Sequence, residues 1–257
     1  MMLQGIFDSH AHYDDHRYDE DRDAVFSKIR KNGVWRVINI GCDMESSQNS
    51  IAFAEQFDFF YAAVGIHPEN AEEATSQNLA RLKQMLSHQK VVALGEIGLD
   101  YHWDEPPRDT QKAAFEAQLQ LAQSCKVPVV IHSRDATEDT MRLLSQYRPD
   151  GVMHCFSGSA ETAKEVVRLG MYVGFTGVVT FKNARRALEA AAVVPIDRIL
   201  LETDCPYMAP VPFRGKRTTS DMIAYSAQAL AQVKGISAQE LVDHAKENAL
   251  RLFRIAE

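Results

Sequence analysis

The sequence predicts an α/β fold of the (β/α)8 TIM-barrel class, a single domain with an extra C-terminal helix. Eight short apolar runs rich in β-branched or aromatic residues are each followed by a longer stretch of helical periodicity, the pattern of βα units around a parallel sheet. The length, 257 residues, suits one such barrel. No GxGxxG fingerprint follows the first strand, so an open doubly wound sheet is the weaker reading of the same alternation.

The strands expected in order are Leu3–Asp8, Val34–Ile40, Phe59–Val64, Val91–Leu94, Val127–Ile131, Gly151–His154, Tyr172–Phe175 and Arg198–Leu201. The helices expected between them are Glu20–Lys31, Ser46–Gln56, Gln77–His88, Asp109–Ser124, Glu138–Gln146, Ala160–Leu169 and Ala184–Ala192. In the fourth helix Phe115, Leu119 and Ala122 form one stripe, as a helix lying on a sheet requires. A Pro-rich loop, Pro206–Lys216, then leads to two more helices, Met222–Lys234 and Ala238–Phe253, of which only the first is needed to close a barrel. No linker, repeat or low-complexity tract divides the chain, so one domain is expected over residues 1–257.

Composition narrows the function classes. Charged residues make up 25% and no apolar run approaches a membrane span, which predicts a soluble protein without a secretory leader, located in the cytoplasm. Cys42, Cys125, Cys155 and Cys205 lack CxxC spacing, so neither a zinc knuckle nor a disulfide framework is expected. A net charge of -7 disfavours a protein that coats nucleic acid through a broad basic face. It does not disfavour an enzyme that draws one phosphodiester to bound cations, which invert the local field.

The chemistry-bearing side chains follow the strands. His10 and His12 come after the first, His67 after the third and Glu96 after the fourth; His132 comes at the fifth, His154 at the sixth, and Glu202 and Asp204 at the eighth. In this fold class those strand ends carry the active site. His10 and His12 stand two apart, and alternate side chains of an extended strand share a side, so both imidazoles suit one ion. Imidazole with carboxylate favours transition metals over calcium. An isolated HxH is usually a pair of solvated or core histidines, and His132 or His154 alone reads as a satisfied core residue; five of the nine histidines at strand ends is a different pattern. Glu96 sits between Gly95 and Gly98, where the backbone can approach an ion or substrate closely. Asp204 follows an apolar strand, where a carboxylate needs a cation or a pairing partner.

The motifs Phe7-Asp8-Ser9-His10-Ala11-His12, Val64-Gly65-Ile66-His67-Pro68, the Gly95–Asp100 segment, His132-Ser133-Arg134, His154-Cys155-Phe156-Ser157-Gly158, Glu202-Thr203-Asp204-Cys205-Pro206-Tyr207 and residues Asn248–Phe253 run nearly the whole chain. In that order they resemble the TatD family of metal-dependent deoxyribonucleases, amidohydrolase-like barrels. The resemblance implies two divalent cations (Mg, Mn or Zn). His10 and His12 would hold one and His132 and His154 the second; Glu96 would bridge both, and Asp204 would complete the first site and accept a proton. It further implies cleavage of single-stranded DNA from the 3′ end by a metal-activated water. His67 and Arg134 are the candidates for gripping the phosphate, the guanidinium because it holds two oxygens at once. The family's arginine and lysine after the last strand match Arg214 and Lys216. Just beyond, Arg217-Thr218-Thr219-Ser220-Asp221 replaces the family's usual Asn-Glu-Pro continuation, which puts the shape of that loop in question.

Three further features have plain readings beside functional ones. Cys155 and Cys205 neighbour proposed ligands but suit packing better than ligation. Phe156, Phe175, Phe181, Tyr207 and Phe213 suit either base stacking or capping of the core. Lys182, Arg185 and Arg186 suit a phosphate track less well than a solvated helix start. Two other function classes use the same residues: a metal-dependent carbonyl hydrolase acting on an ester, lactone, amide or D-aminoacyl-tRNA, and a binding module with structural metals. No obligatory protein partner is evident from the sequence.

Overall fold

The computed structural model describes residues 2–103 and 105–256; Met1, Asp104 and Glu257 of the expected 1–257 domain lie outside the described residues. The first half of the chain gives β1 (Ile6–Ala11), α1 (Arg22–Lys31), β2 (Val34–Ile40), α2 (Met44–Gln56), β3 (Phe60–Val64), α3 (Ser76–Met85), β4 (Val91–Asp100) and α4 (Arg108–Cys125). The second gives β5 (Val129–Arg134), α5 (Thr137–Tyr147), β6 (Gly151–Met153), α6 (Ala160–Arg168), β7 (Tyr172–Phe175), α7 (Arg185–Val193), β8 (Ile199–Leu201), α8 (Ile223–Lys234) and α9 (Ala238–Phe253). The strands follow one another in sequence order through the sheet, which with the alternating helices is the (β/α)8 class that the sequence predicts. Among the described residues no helix is long and apolar enough to cross a membrane.

Two compact units share this chain. The first comprises residues 1–39, 155–168 and 172–257. Here β1 pairs in parallel with β2, and β7 with β8. An isolated parallel bridge joins Ala11 to Cys205 beyond the end of β8. Its core includes Ile6, Ile29, Ile38, Phe175 and Leu200, all essentially without solvent contact. Helix α9 begins at a capping box, Ser237 with Glu240, and packs on both β1 and β8. The C-terminal helix expected as an addition is therefore part of the cover over those strands.

The second unit comprises residues 40–154 and 169–171. Strands β3 to β6 pair in parallel in sequence order, with Ala62, Val64, Leu94, Val130 and Ile131 buried. Helix α4 lays Phe115, Leu119 and Ala122 inward as expected, but Gln111 and Gln118 share that buried face. Seven residues apart, they recur on one side of the helix.

Several strands run further than their apolar letters. β1 extends to Ala11 instead of Asp8, β4 to Asp100 instead of Leu94 and β5 to Arg134 instead of Ile131. His10, Glu96 and His132 therefore lie within strands rather than after them. The reason is that the polar residues there have partners: Asp8 is fully buried and accepts from Thr203, and Asp100 is buried against His132. A buried polar group that is hydrogen-bonded does not end a strand.

Candidate active site

In the first unit, Asp8 organises the end of β1. Its Oδ1 accepts from the Thr203 backbone N–H (3.0 Å) and its Oδ2 from the Thr203 hydroxyl (2.6 Å). Burial pushes the Asp8 carboxyl up to about 7, against hydrogen bonds from Ser220, Thr203 and the His10 backbone. Two backbone bonds reinforce the link: Asp204 N–H donates to His10 C=O (2.9 Å), and His12 N–H to Cys205 C=O (2.8 Å). The consequence is a tight cluster of donor atoms. His10 Nε2 and His12 Nε2 lie 3.1 Å apart, and Asp204 Oδ1 is 3.8 Å from the first and 3.4 Å from the second. Asp204 takes a left-handed φ of 59°, a conformation costly for a non-glycine residue and common at functional sites. Two imidazole nitrogens and a carboxylate oxygen at this spacing fit a transition-metal or zinc ion.

In the second unit, Glu96 is the centre. Its Oε1 lies 3.0 Å from His132 Nδ1 and 3.0 Å from His154 Nε2. His67, Glu96 and His132 each place a ligand atom within 4.8 Å of the others. Burial works against a charged His132, yet hydrogen bonds to Asp100 and Glu96 hold its pKa up at about 9. A field that stabilises a proton on that ring also favours a metal cation beside it. His67 is fixed from the other side: its Nδ1 accepts from Glu69 N–H (3.2 Å), so the neutral ring carries its proton on Nε2. Such a histidine donates a hydrogen bond, which suits a phosphate oxygen.

The glycines near Glu96 serve strand approach. A Cβ on Gly95 would stand 2.6 Å from Val130 Cβ, and one on Gly98, whose φ is +149°, would stand 1.9 Å from the His132 carbonyl oxygen. Arg134 is exposed and directs its guanidinium toward the Trp103 ring at 5.9 Å; Trp103 is 63% exposed.

Other expectations resolve within the first unit. Arg214 lies over the Phe181 face at 3.7 Å, and Lys216 is exposed. Phe156 and Phe175 are core, whereas Tyr207 is exposed beneath the Arg17 guanidinium. The departing loop is built into the fold: Arg217 pairs with Asp21, Tyr18 donates to Thr218 C=O, Ser220 bonds Tyr13, and Asp221 accepts from Asn32. Glu202 accepts from the Cys155 backbone N–H and from Ser9, bracing the turn after β6. Burial pushes the Cys205 thiol up to about 12, which makes it inert packing.

Comparison with known proteins places the whole chain in one family. The family described as TatD related DNase matches residues 7–254. The uncharacterized metal-dependent hydrolase YabD of Bacillus subtilis is 43% identical over 97% of this chain and 99% of its own. The 3′-5′ ssDNA/RNA exonuclease TatD of Cronobacter sakazakii is 34% identical over 96% and 97% of the respective chains. The crystal structure of the TatD homologue YjjV from Escherichia coli superimposes with a TM-score of 0.92 at 31% identity, covering 100% of both chains. Matched almost end to end by sequence and fold, this chain belongs to the TatD-related DNase family of metal-dependent hydrolases.

Proposed function

We propose that the protein is a 3′-to-5′ exonuclease acting on single-stranded DNA, with two divalent cations as cofactors. The observation that carries the reading is Glu96 Oε1 at 3.0 Å from both His132 Nδ1 and His154 Nε2, a donor set for one cation. His10, His12 and Asp204 supply a second set. Cations held there would activate water near neutral pH and offset the charge that builds on the phosphoryl oxygens. The remaining roles belong to side chains. Asp204 takes the proton released as the nucleophile attacks, and His67 donates from Nε2 to a phosphate oxygen. Arg134 grips the phosphate through its planar guanidinium. Arg214 and Lys216 hold the sugar-phosphate backbone. The relative named as a 3′-5′ ssDNA/RNA exonuclease supports this substrate class.

The test compares turnover of a single-stranded oligonucleotide with that of a simple carboxylic ester and a D-aminoacyl-tRNA. Preferential oligonucleotide cleavage, lost in Asp204→Asn while the fold is kept, is the expected result. Ester or tRNA turnover in the absence of DNA cleavage would replace the reading with a carbonyl hydrolase.

A further inference from the structure

We infer that Asp100 is a positioning residue for the metal centre: it fixes the tautomer of His132 so that Nδ1 faces Glu96 as a ligand atom. The inference rests on the metal reading of Glu96, His132 and His154. His132 is held between two carboxylates at opposite ring nitrogens, with Nδ1 3.0 Å from Glu96 Oε1 and Nε2 3.0 Å from Asp100 Oδ2. With a cation bound, the imidazole is neutral and carries one proton, so the two nitrogens play different roles. Glu96 also meets His154 Nε2 at 3.0 Å and is the carboxylate with several ligand atoms around it, whereas Asp100 bonds the His132 ring through Oδ2 and the His102 backbone N–H through Oδ1. The proton therefore belongs on Nε2, donated to Asp100, and the Nδ1 lone pair is left for the cation. Histidine ligands regularly donate their second N–H to a carboxylate in this way, which sets ring orientation and raises ligand basicity.

Asp100 is itself held rigidly. Its side chain is buried, and its Oδ1 accepts from the His102 backbone N–H at 2.9 Å. Its own backbone N–H donates to Gln111 Oε1 (2.9 Å), and its C=O accepts from Gln111 Nε2 (2.8 Å). Gln111 is fully buried and also donates to Pro106 C=O, so α4 clamps the end of β4. This bracing makes Asp100 Oδ2 a fixed acceptor instead of a mobile surface acid.

The Asn variant is informative because the His102 N–H keeps the remaining carbonyl oxygen where Oδ1 was. Its amide nitrogen would then face His132 Nε2 as a donor, favouring the opposite tautomer with the proton on Nδ1, where it blocks ligation. The experiment uses zinc as the probe. In zinc-loaded wild-type protein with 15N-labelled histidine, long-range proton–nitrogen correlation should place the His132 proton on Nε2, the signal being assigned by its loss in His132→Asn. Zinc titration of Asp100→Asn should show one ion bound about ten- to a hundredfold more weakly than in the wild type, with the thermal unfolding profile retained. A proton on Nδ1 in the wild type, or unchanged zinc affinity in a folded Asp100→Asn, would overturn the assignment while leaving the metal centre standing. Failure of the wild type to bind zinc, manganese or magnesium would overturn the metal reading and this inference together. If the variant does not fold, the wild-type tautomer decides alone.

Discussion

Gln118 bonds both backbone groups of Ile66, the residue before His67: Ile66 N–H donates to Oε1 at 2.9 Å and Ile66 C=O accepts from Nε2 at 2.9 Å. The amide lies at the buried face of α4 and is 1% exposed. It satisfies the stretch of chain that leaves β3 and turns into the 3-10 segment beginning at Pro68. Replacing Gln118 with Leu strips two buried backbone groups of their partners, at about 1–3 kcal/mol for each such group. We expect Gln118→Leu to lower unfolding free energy by about 2–4 kcal/mol in urea titration. A loss below about 0.5 kcal/mol would show that the clamp is not needed.

Gly98 tests how closely β4 must approach β5. Its positive φ and the 1.9 Å contact that a Cβ would make with the His132 carbonyl oxygen leave no room for a methyl group. Gly98→Ala should destabilise the protein by about 2 kcal/mol or more and weaken divalent-cation binding by displacing His132. Calorimetry and zinc titration check both effects, and near-wild-type values in the two would contradict the account.

The Asp15–Arg17 pair gives a pH signature. The Arg17 hydrogen bonds hold the Asp15 carboxyl down at about 2, below its ordinary 3.8. A depressed folded-state pKa contributes stability above the unfolded value, and that contribution is lost as pH falls through the folded value. Near pH 6, wild type should exceed Arg17→Gln by no more than about 1 kcal/mol, because solvent screens the pair. The gap should narrow as pH falls from about 4 toward about 2. Urea unfolding across that range checks it; a gap that widens toward acid would contradict the assignment.

Trp103 and Arg134 form an exposed ring and guanidinium at the end of the second unit's strands β4 and β5. Stacking of a base on an aromatic ring is worth about 1–3 kcal/mol. Trp103→Ala should therefore raise KM for single-stranded DNA by about 5- to 150-fold and leave kcat largely unchanged. Steady-state kinetics on a short oligonucleotide checks this, and an unchanged KM would remove Trp103 from the substrate path.

The candidate ligand residues are legible in the sequence because metal chemistry admits few residue types, and a strand's two-residue period gives His10 and His12 a common side. The alternation of β and α elements is legible for the same reason: each buried face repeats with its own period. What the letters conceal is polarity that has been satisfied. Asp8, Asp100 and Gln118 are buried and bonded to partners 195, 32 and 52 residues away, and Gln111 is buried against the end of β4. Such pairs carry no local pattern, so the strands look shorter than they are and the braces beside the ligands stay hidden. The Arg217–Asp221 departure is a further case. Arg217 and Asp221 reach Asp21 and Asn32 across nearly two hundred residues, and no short-range rule connects those positions.

Most directly, the central claim is tested by digestion of an end-labelled single-stranded oligonucleotide with metal-stripped protein resupplied with magnesium, manganese or zinc, beside His132→Ala as control. The account predicts a ladder shortening from the 3′ end that appears only with added metal and is absent in the control. Intact oligonucleotide under every metal, with the ions demonstrably bound to the protein, would contradict it.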